Sequence, residues 1–473
     1  MRTTLLALAI AAALSGCIVS RVDPQKPELP LPDSLPAVER ETVQLPDPWW
    51  TLFGDPVLNQ LVDEALAHNT DVAVAAARVQ QARAALRITN ADRLPTLDLE
   101  ANASRSKTSS DVFALPGVSR TQTTYTVQGA VGYELDLWGR YQRASEAARA
   151  DLLNTEFGRE ATKLALTGDV ARGYFSLIAA AEQLARGRDT LATREESLRL
   201  EKLRLEAGES DEFTYKRAEA DTEATRTSVY QLELEVTRRV TSLGVLLGRA
   251  PKDLVERAIL TSEVDLPTPV ALPAALPSSV MERRPDIGAA EAALNAAAAD
   301  IGVARASLFP SISLTGAFGY VSRELDDLFT EPTEAWSAAA GLFQPIFEGG
   351  RLRANVSRAE AVREERKAQY ARTVQEAFRE VLDGLNGQRL IESVRTSNSA
   401  QVSALARATD LAELRYKQGD IAYLELLDVR RGLYQAQIDL VAAQRDALLN
   451  TVDLALAVGG GLGDKAEALS VRR

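Results

Sequence analysis

The chain has 473 residues but only one cysteine, one histidine and two methionines. A disulfide framework needs cysteines in pairs, and a structural zinc site needs several Cys or His side chains. A histidine-based acid–base or triad mechanism needs a histidine beside its partners. None of these can be assembled here, so no catalytic role and no metal site are expected; His68, at the end of an apolar helical stretch, is not read as a ligand. Positive charge is also in deficit: 66 acidic against 54 basic residues leave a formal charge of −12. The basic surface that a phosphate-tracking nucleic-acid binder requires is therefore missing. Beyond the N-terminus no run reaches the ~18 consecutive apolar residues of a spanning helix, so only a closed β-barrel could cross a bilayer.

What is present starts with Arg2, a short basic region, followed from Leu5 to Leu14 by an apolar segment. At about ten residues it has the length of a signal peptide and is too short to span a membrane. Leu14-Ser15-Gly16-Cys17 closes the segment with small residues before the sole cysteine. This looks like a bacterial lipobox, which implies removal of residues 1–16 and a covalent lipid on Cys17, with no other cofactor. Ile18 stands where an aspartate would retain such lipoproteins elsewhere, and the resemblance implies sorting to the outer membrane. Residues 17–48 then form a lipidated tether, because Pro24, Pro27, Pro30, Pro32, Pro36, Pro46 and Pro48 forbid regular helix and favour extended chain.

The body is duplicated. The interval that separates Asp71 from Asp286 also separates Pro95 from Pro310, and a slightly shorter one separates Gly139, Gly208 and Gly248 from Gly350, Gly419 and Gly459. The first repeat is placed at 49–250, a Pro-containing linker at 251–272, the second repeat at 273–462 and a polar tail at 463–473. Each repeat opens with an Ala-rich amphipathic helix, at 56–92 and 279–307, that stops before a proline. Two strands follow, at 96–106 and 123–133, then at 311–323 and 336–347. Leu97, Leu99, Ala101 and Ala103 alternate with Thr96, Asp98, Glu100 and Asn102, the period of a sheet with one apolar and one polar face. The strands have the 9–11 residues of a tilted membrane strand, although alternation alone also fits a soluble hairpin. Tyr133, Trp138, Tyr320 and Trp336 suit either an interfacial girdle or ordinary packing.

Segments 140–207 and 351–418 contain no proline. A helix of roughly 68 residues would run about 100 Å. Leu177, Leu184, Leu191, Leu198 and Leu205 recur at heptad spacing, a coiled-coil seam ending at Gly208, where the chain turns into a returning helix at 213–247. Such hairpins need partners or copies of themselves to cover them. On the second return helix, Glu425, Asp428, Gln435, Asp439 and Asp446 share one face and Leu426, Leu433, Leu440 and Leu454 another. Spacing leaves open whether the acidic face lines a lumen or meets bulk solvent.

Trp49-Trp50-Thr51-Leu52-Phe53-Gly54-Asp55-Pro56-Val57-Leu58, Glu134-Leu135-Asp136-Leu137-Trp138-Gly139-Arg140, Arg284-Pro285-Asp286-Ile287 and Val458-Gly459-Gly460-Gly461 occur in that order. Together they resemble an outer-membrane factor of the TolC/NodT type. The resemblance implies a mixed α/β membrane protein: a homotrimer with four strands per subunit in a twelve-stranded β-barrel, continuous with a long periplasmic α-helical barrel. It implies a passive exit duct for drugs or other toxic small molecules in a tripartite efflux system. The partners would be a periplasmic adaptor, an inner-membrane transporter, with the RND type favoured, and outer-membrane lipid. By similarity, Leu424 and Asp428 form a periplasmic constriction with Glu425 nearby, and the Gly208 and Gly419 tips meet the adaptor. Counting back one repeat from Asp428 reaches Arg217, so only the second hairpin carries the acidic ring, with Arg217 as a candidate closed-state partner. The competing reading, a periplasmic coiled-coil adaptor or structural envelope lipoprotein, would lack the paired membrane-length strands.

Overall fold

A computed structural model describes residues 22–28, 46–109, 120–256, 266–268 and 284–460. The signal peptide, Cys17, most of the tether, much of the linker and the 463–473 tail lie outside the described residues. In chain order, a 3-10 turn (Trp49–Phe53) precedes α1 (Pro56–His68), α2 (Thr70–Ala91), β1 (Thr96–Lys107) and β2 (Thr121–Leu135). Then come α3 (Arg140–Glu206), α4 (Glu212–Leu246) and the short α5 (Pro251–Glu256). The second copy supplies α6 (Pro285–Ala306), β3 (Ser311–Ser322), a 3-10 turn (Glu331–Thr333), β4 (Glu334–Phe343), α7 (Arg351–Gln418) and α8 (Tyr423–Ala457). Helix, two strands, long helix and return helix thus occur twice, as the duplication predicts. The described residues fall into two compact units, one within Met1–Pro27, Val79–Thr155 and Ala290–Tyr370, the other within Glu28–Arg78, Glu156–Ala289 and Ala371–Arg473.

The first unit contains one antiparallel sheet of order β1-β2-β3-β4. β2 is longer than the expected strand, and β4 is shifted towards Glu334 relative to 336–347. Pro345 lies within that expected strand, and proline has no N–H to offer a ladder. At the base of the sheet the Glu134–Arg140 string acts as a junction. Asp136 accepts the N–H groups of Tyr141 and Gln142 at 3.2 and 2.8 Å, capping α3. Arg140 pairs with Glu134 at 2.8 Å. The Trp138 indole donates to the Pro310 carbonyl at 2.6 Å and stacks on Phe309, so Trp138 is a packing residue of the strand base. α6 has the length and apolar composition to cross a membrane. Half of its most apolar window is buried, and Leu294 and Ile301 are wholly so, as in a core helix.

The second unit holds the main core, in which the Trp49–Asp55 string is a packing device. Trp49 is buried and donates its indole N–H to Thr167 Oγ1 at 3.2 Å, and Phe53 meets Phe175 edge-on. Asp55 caps α1 by accepting from Val57 and Leu58, and its second oxygen accepts the Tyr174 hydroxyl at 2.8 Å. Burial, and then that carboxylate, push the Tyr174 phenol well above its usual range, so it stays protonated as the donor. Truncating Leu58 or Leu247, both fully enclosed, would cost about 2–5 kcal/mol.

The single helix expected at 56–92 is two helices. Asn69 is extended, its Oδ1 accepts the N–H groups of Asp71 and Val72 to start α2, and its Nδ2 donates to Leu246 O at 2.9 Å. α1 buries Leu58, Leu61, Val62 and Ala65, and α2 follows with Ala75 and Val79 among good helix formers, so the spacing runs across the break and hides it. In the second copy Arg284 takes the Asn69 position and donates to Ala457 O at 3.0 Å, the equivalent carbonyl at the end of α8. It is also held by Asp286 and Glu380, each at 2.7 Å. Of the heptad leucines on α3, Leu177 and Leu184 are buried, while Leu191, Leu198 and Leu205 are half-buried.

Candidate channel wall and hairpin tips

The register divides the sheet into two chemically different faces. Leu97 pairs with Val131 and Leu99 with Gly129 across β1 and β2; Val131 pairs with Gly316 and Gly129 with Phe318 across β2 and β3; Phe318 pairs with Trp336 and Leu314 with Ala340 across β3 and β4. Directly opposed residues share a face. One face therefore collects Leu97, Leu99, Val131, Leu314, Phe318 and Trp336, and it is open: Leu97 is 78% exposed and Trp336 76%. The other face carries Asp98, Glu100, Asn102, Gln128, Thr126, Ser313 and Ser337, with Gln128 donating to Glu100 at 2.9 Å. β1 and β4 are both edge strands, exposed along their whole length. Water can satisfy neither edge inside a bilayer, so each requires another strand.

The hairpin tips of the second unit are built by glycine caps. Gly208 has φ +78°, donates to Leu205 O, and is followed by Glu209 donating to Arg204 O; Gly419 has φ +82° with the same pair of bonds to Tyr416 O and Arg415 O. Only glycine enters that left-handed region without cost, which explains why the residue recurs in both copies. Asp211 then caps α4 by accepting from Thr214. Beyond Gly419, the first turns of α8 present Leu424, 54% exposed, with Glu425 and Asp428 also exposed. Gln435, Asp439 and Asp446 continue that open face, while Leu426 and Leu454 are buried and Leu433 and Leu440 half-buried. The two faces read from the helical period are thus the open and the packed faces of α8.

Periodicity overlooked the contacts that fasten α8. Asp221 of α4, only 3% exposed, is bound by Arg194 of α3 and Arg431 of α8, both at 2.6 Å. Burial pulls the Arg194 guanidinium down from its ordinary value, and Asp221 is the main group opposing that. Arg430 bridges Glu413 at 2.7 Å and Ser197 at 2.9 Å, and Tyr416 donates to Glu201 at 2.6 Å. Two ion pairs thus tie α8 to the first hairpin, Arg431 with Asp221 near the tip and Arg172 with Asp453, at 2.7 Å, towards the other end of α8. One signal was available: Asp221 interrupts the small buried seam Ala218, Thr222, Thr225 and Val229, where a charge requires a partner. His68 is exposed, and no cluster suited to a metal occurs among the described residues.

An open-edged sheet with one apolar and one polar face, joined to long duplicated helical hairpins, is the pattern of a channel. Residues 61–249 and 276–460 match the outer membrane efflux protein family. The chain belongs to that family. This outer membrane efflux protein is 33% identical to the cation efflux system protein CusC of Escherichia coli K12, over 97% of this chain and 99% of the relative. It is 38% identical to the solvent efflux pump outer membrane protein SrpC of Pseudomonas putida, over 86% of each. Among solved structures it superposes on the CmeC outer membrane channel of Campylobacter jejuni with a TM-score of 0.85 and 25% identity, covering 94% of this chain and 98% of that one. The open-state MtrE channel of Neisseria gonorrhoeae gives 0.81 and 32%, covering 93% and 97%. The efflux protein is accordingly an outer-membrane exit duct of an efflux system with a large periplasmic portion, and the adaptor reading is set aside.

Proposed function

We propose that three copies of this efflux protein close their four-stranded sheets into one twelve-stranded barrel, with the apolar face against lipid and the polar face lining the duct. The support is the pair of open edges: four strands are too few to close a barrel, and β1 of one copy supplies what β4 of the next lacks. Drugs or other small toxic molecules would pass through it; the relative SrpC is named for solvent efflux. A lipid on Cys17 would anchor the N-terminus. At the other end of its pathway the duct would be met by a periplasmic adaptor on the Gly208 and Gly419 tips, and served by an inner-membrane transporter of the RND type.

The gate in this reading is the open face at the start of α8. Brought together around a threefold axis, the exposed Asp428 carboxylates would concentrate negative potential in a narrow throat, with Glu425 adding to it and Leu424 narrowing it as an apolar ring. The observation that carries the proposal is that Leu424, Glu425 and Asp428 are solvent-facing while Leu426 and Leu427 beside them are buried. Planar-bilayer currents from the full-length protein at two salt concentrations should show small cation-selective steps. Asp428→Ala should raise the resting current or lessen cation preference. An unchanged current with unchanged selectivity would remove Asp428 from the throat.

A further inference from the structure

The connection between β3 and β4, residues 323–333, lies at the end of the sheet away from its helix junctions, since β3 follows α6 and β4 leads into α7. It is a built loop. Thr333 Oγ1 donates to Leu328 O at 2.7 Å, Leu328 N to Leu325 O, Thr330 N to Asp327 O, and Glu324 N to Ser322 Oγ. Leu328 is 4% exposed, so the loop has a small core of its own. Against that order, two large apolar side chains are held outward: Phe329 is 70% exposed and Leu325 61%.

Phe329 also has a defined direction. Its ring meets Tyr320 edge-on with centroids 5.5 Å apart. Tyr320 alternates with Phe318 along β3, and Phe318 is paired with Trp336, so all three belong to the apolar face. On the β3 side the apolar surface thus continues from Phe318 and Tyr320 onto the loop, while across the last ladder pair the exposed carboxylate of Glu334 borders it. A loop folded over the mouth of the duct would put its apolar groups against protein or water. Leaving a Phe or Leu in water forfeits the gain of removing its apolar surface from solvent. The carboxylates Glu324, Asp326, Asp327 and Glu331 set how deep the loop can go, because charge stays at the headgroup level.

We propose that the β3–β4 loop is a lipid-seated foot: Phe329 and Leu325 sit at the boundary between acyl chains and headgroups of the outer leaflet, extending the membrane belt beyond the strand ends. The proposal rests on the reading of the apolar face as lipid-facing. The test uses full-length lipidated protein in phosphatidylethanolamine–phosphatidylglycerol vesicles, with a nitroxide at Phe329→Cys, at Ala101→Cys on the apolar face, or at Asn102→Cys on the polar face. Collision with oxygen, which partitions into lipid, is compared with collision with a water-soluble nickel chelate. The label at 329 should show an oxygen-to-nickel ratio several-fold above that at 102 and close to that at 101. A ratio matching 102, or protection from both reagents, overturns the foot. A water-like ratio at 101 instead overturns the barrel reading, so the two failures are told apart.

Discussion

Asp221 carries a charge at a site that is 3% exposed, and its two arginines are unequal. The Arg194 side chain is 10% exposed and that of Arg431 49%. Removing the partner of a buried charge costs about 3–5 kcal/mol, whereas a half-exposed pair screened by water is worth about 0–1 kcal/mol. Asp221→Ala should therefore strand Arg194 and lower thermal stability markedly, read as a fall in unfolding temperature. Arg431→Ala should leave stability nearly unchanged yet loosen α8 from α4 and enlarge the resting single-channel current. A current equal to that of the parent would mean that this contact plays no part in holding the gate region.

At the level of elements, each long hairpin turns on one left-handed glycine. A Cβ at Gly419 would meet nothing within 4 Å, so a substitution there is resisted by the backbone alone, at about 1–2 kcal/mol. That separates folding from docking. Gly419→Ala should keep both assembly and export, while Gly419→Trp should keep the oligomer and lose export, measured as resistance to an exported compound alongside oligomer level on native gels. Export retained by the tryptophan variant would count against a partner seated on the tip. Gly248 is left-handed as well, but a Cβ there would also collide with the His68 carbonyl oxygen, so it serves close approach within the core too.

For the molecule as a whole, the two faces of the sheet set how it is placed. Ala101 and Asn102 are neighbours on β1 but belong to opposite faces. An arginine facing lipid near the bilayer midplane costs about 2–4 kcal/mol, and one facing the duct is hydrated. Ala101→Arg should lower the yield of heat-stable protein in outer membranes, and Asn102→Arg should leave the yield intact while shifting current away from cations. Equal effects of the two would dissolve the distinction between faces.

The repeat, the four strands and the long helices were legible before any contact was known, because each depends on a local period or on a glycine or proline whose backbone demands are carried wherever it stands. Gly208 and Gly419 were legible as helix ends for that reason, and Leu97 to Asn102 as a two-faced strand. The exposed acidic side of α8 followed from the same kind of spacing. Only the tertiary fold brought about the break at Asn69, the matching bonds from Asn69 and Arg284 to the last turns of α4 and α8, the clamp on Asp221 and the edge-on contact of Phe329 with Tyr320. Apart from the local cap at Asn69 and the contact of Phe329 with Tyr320, which the path of a loop brings together, these join groups far apart in the chain. Whether a charge is buried, or an aromatic ring held outward, depends on what the rest of the chain brings beside it, and no period records that.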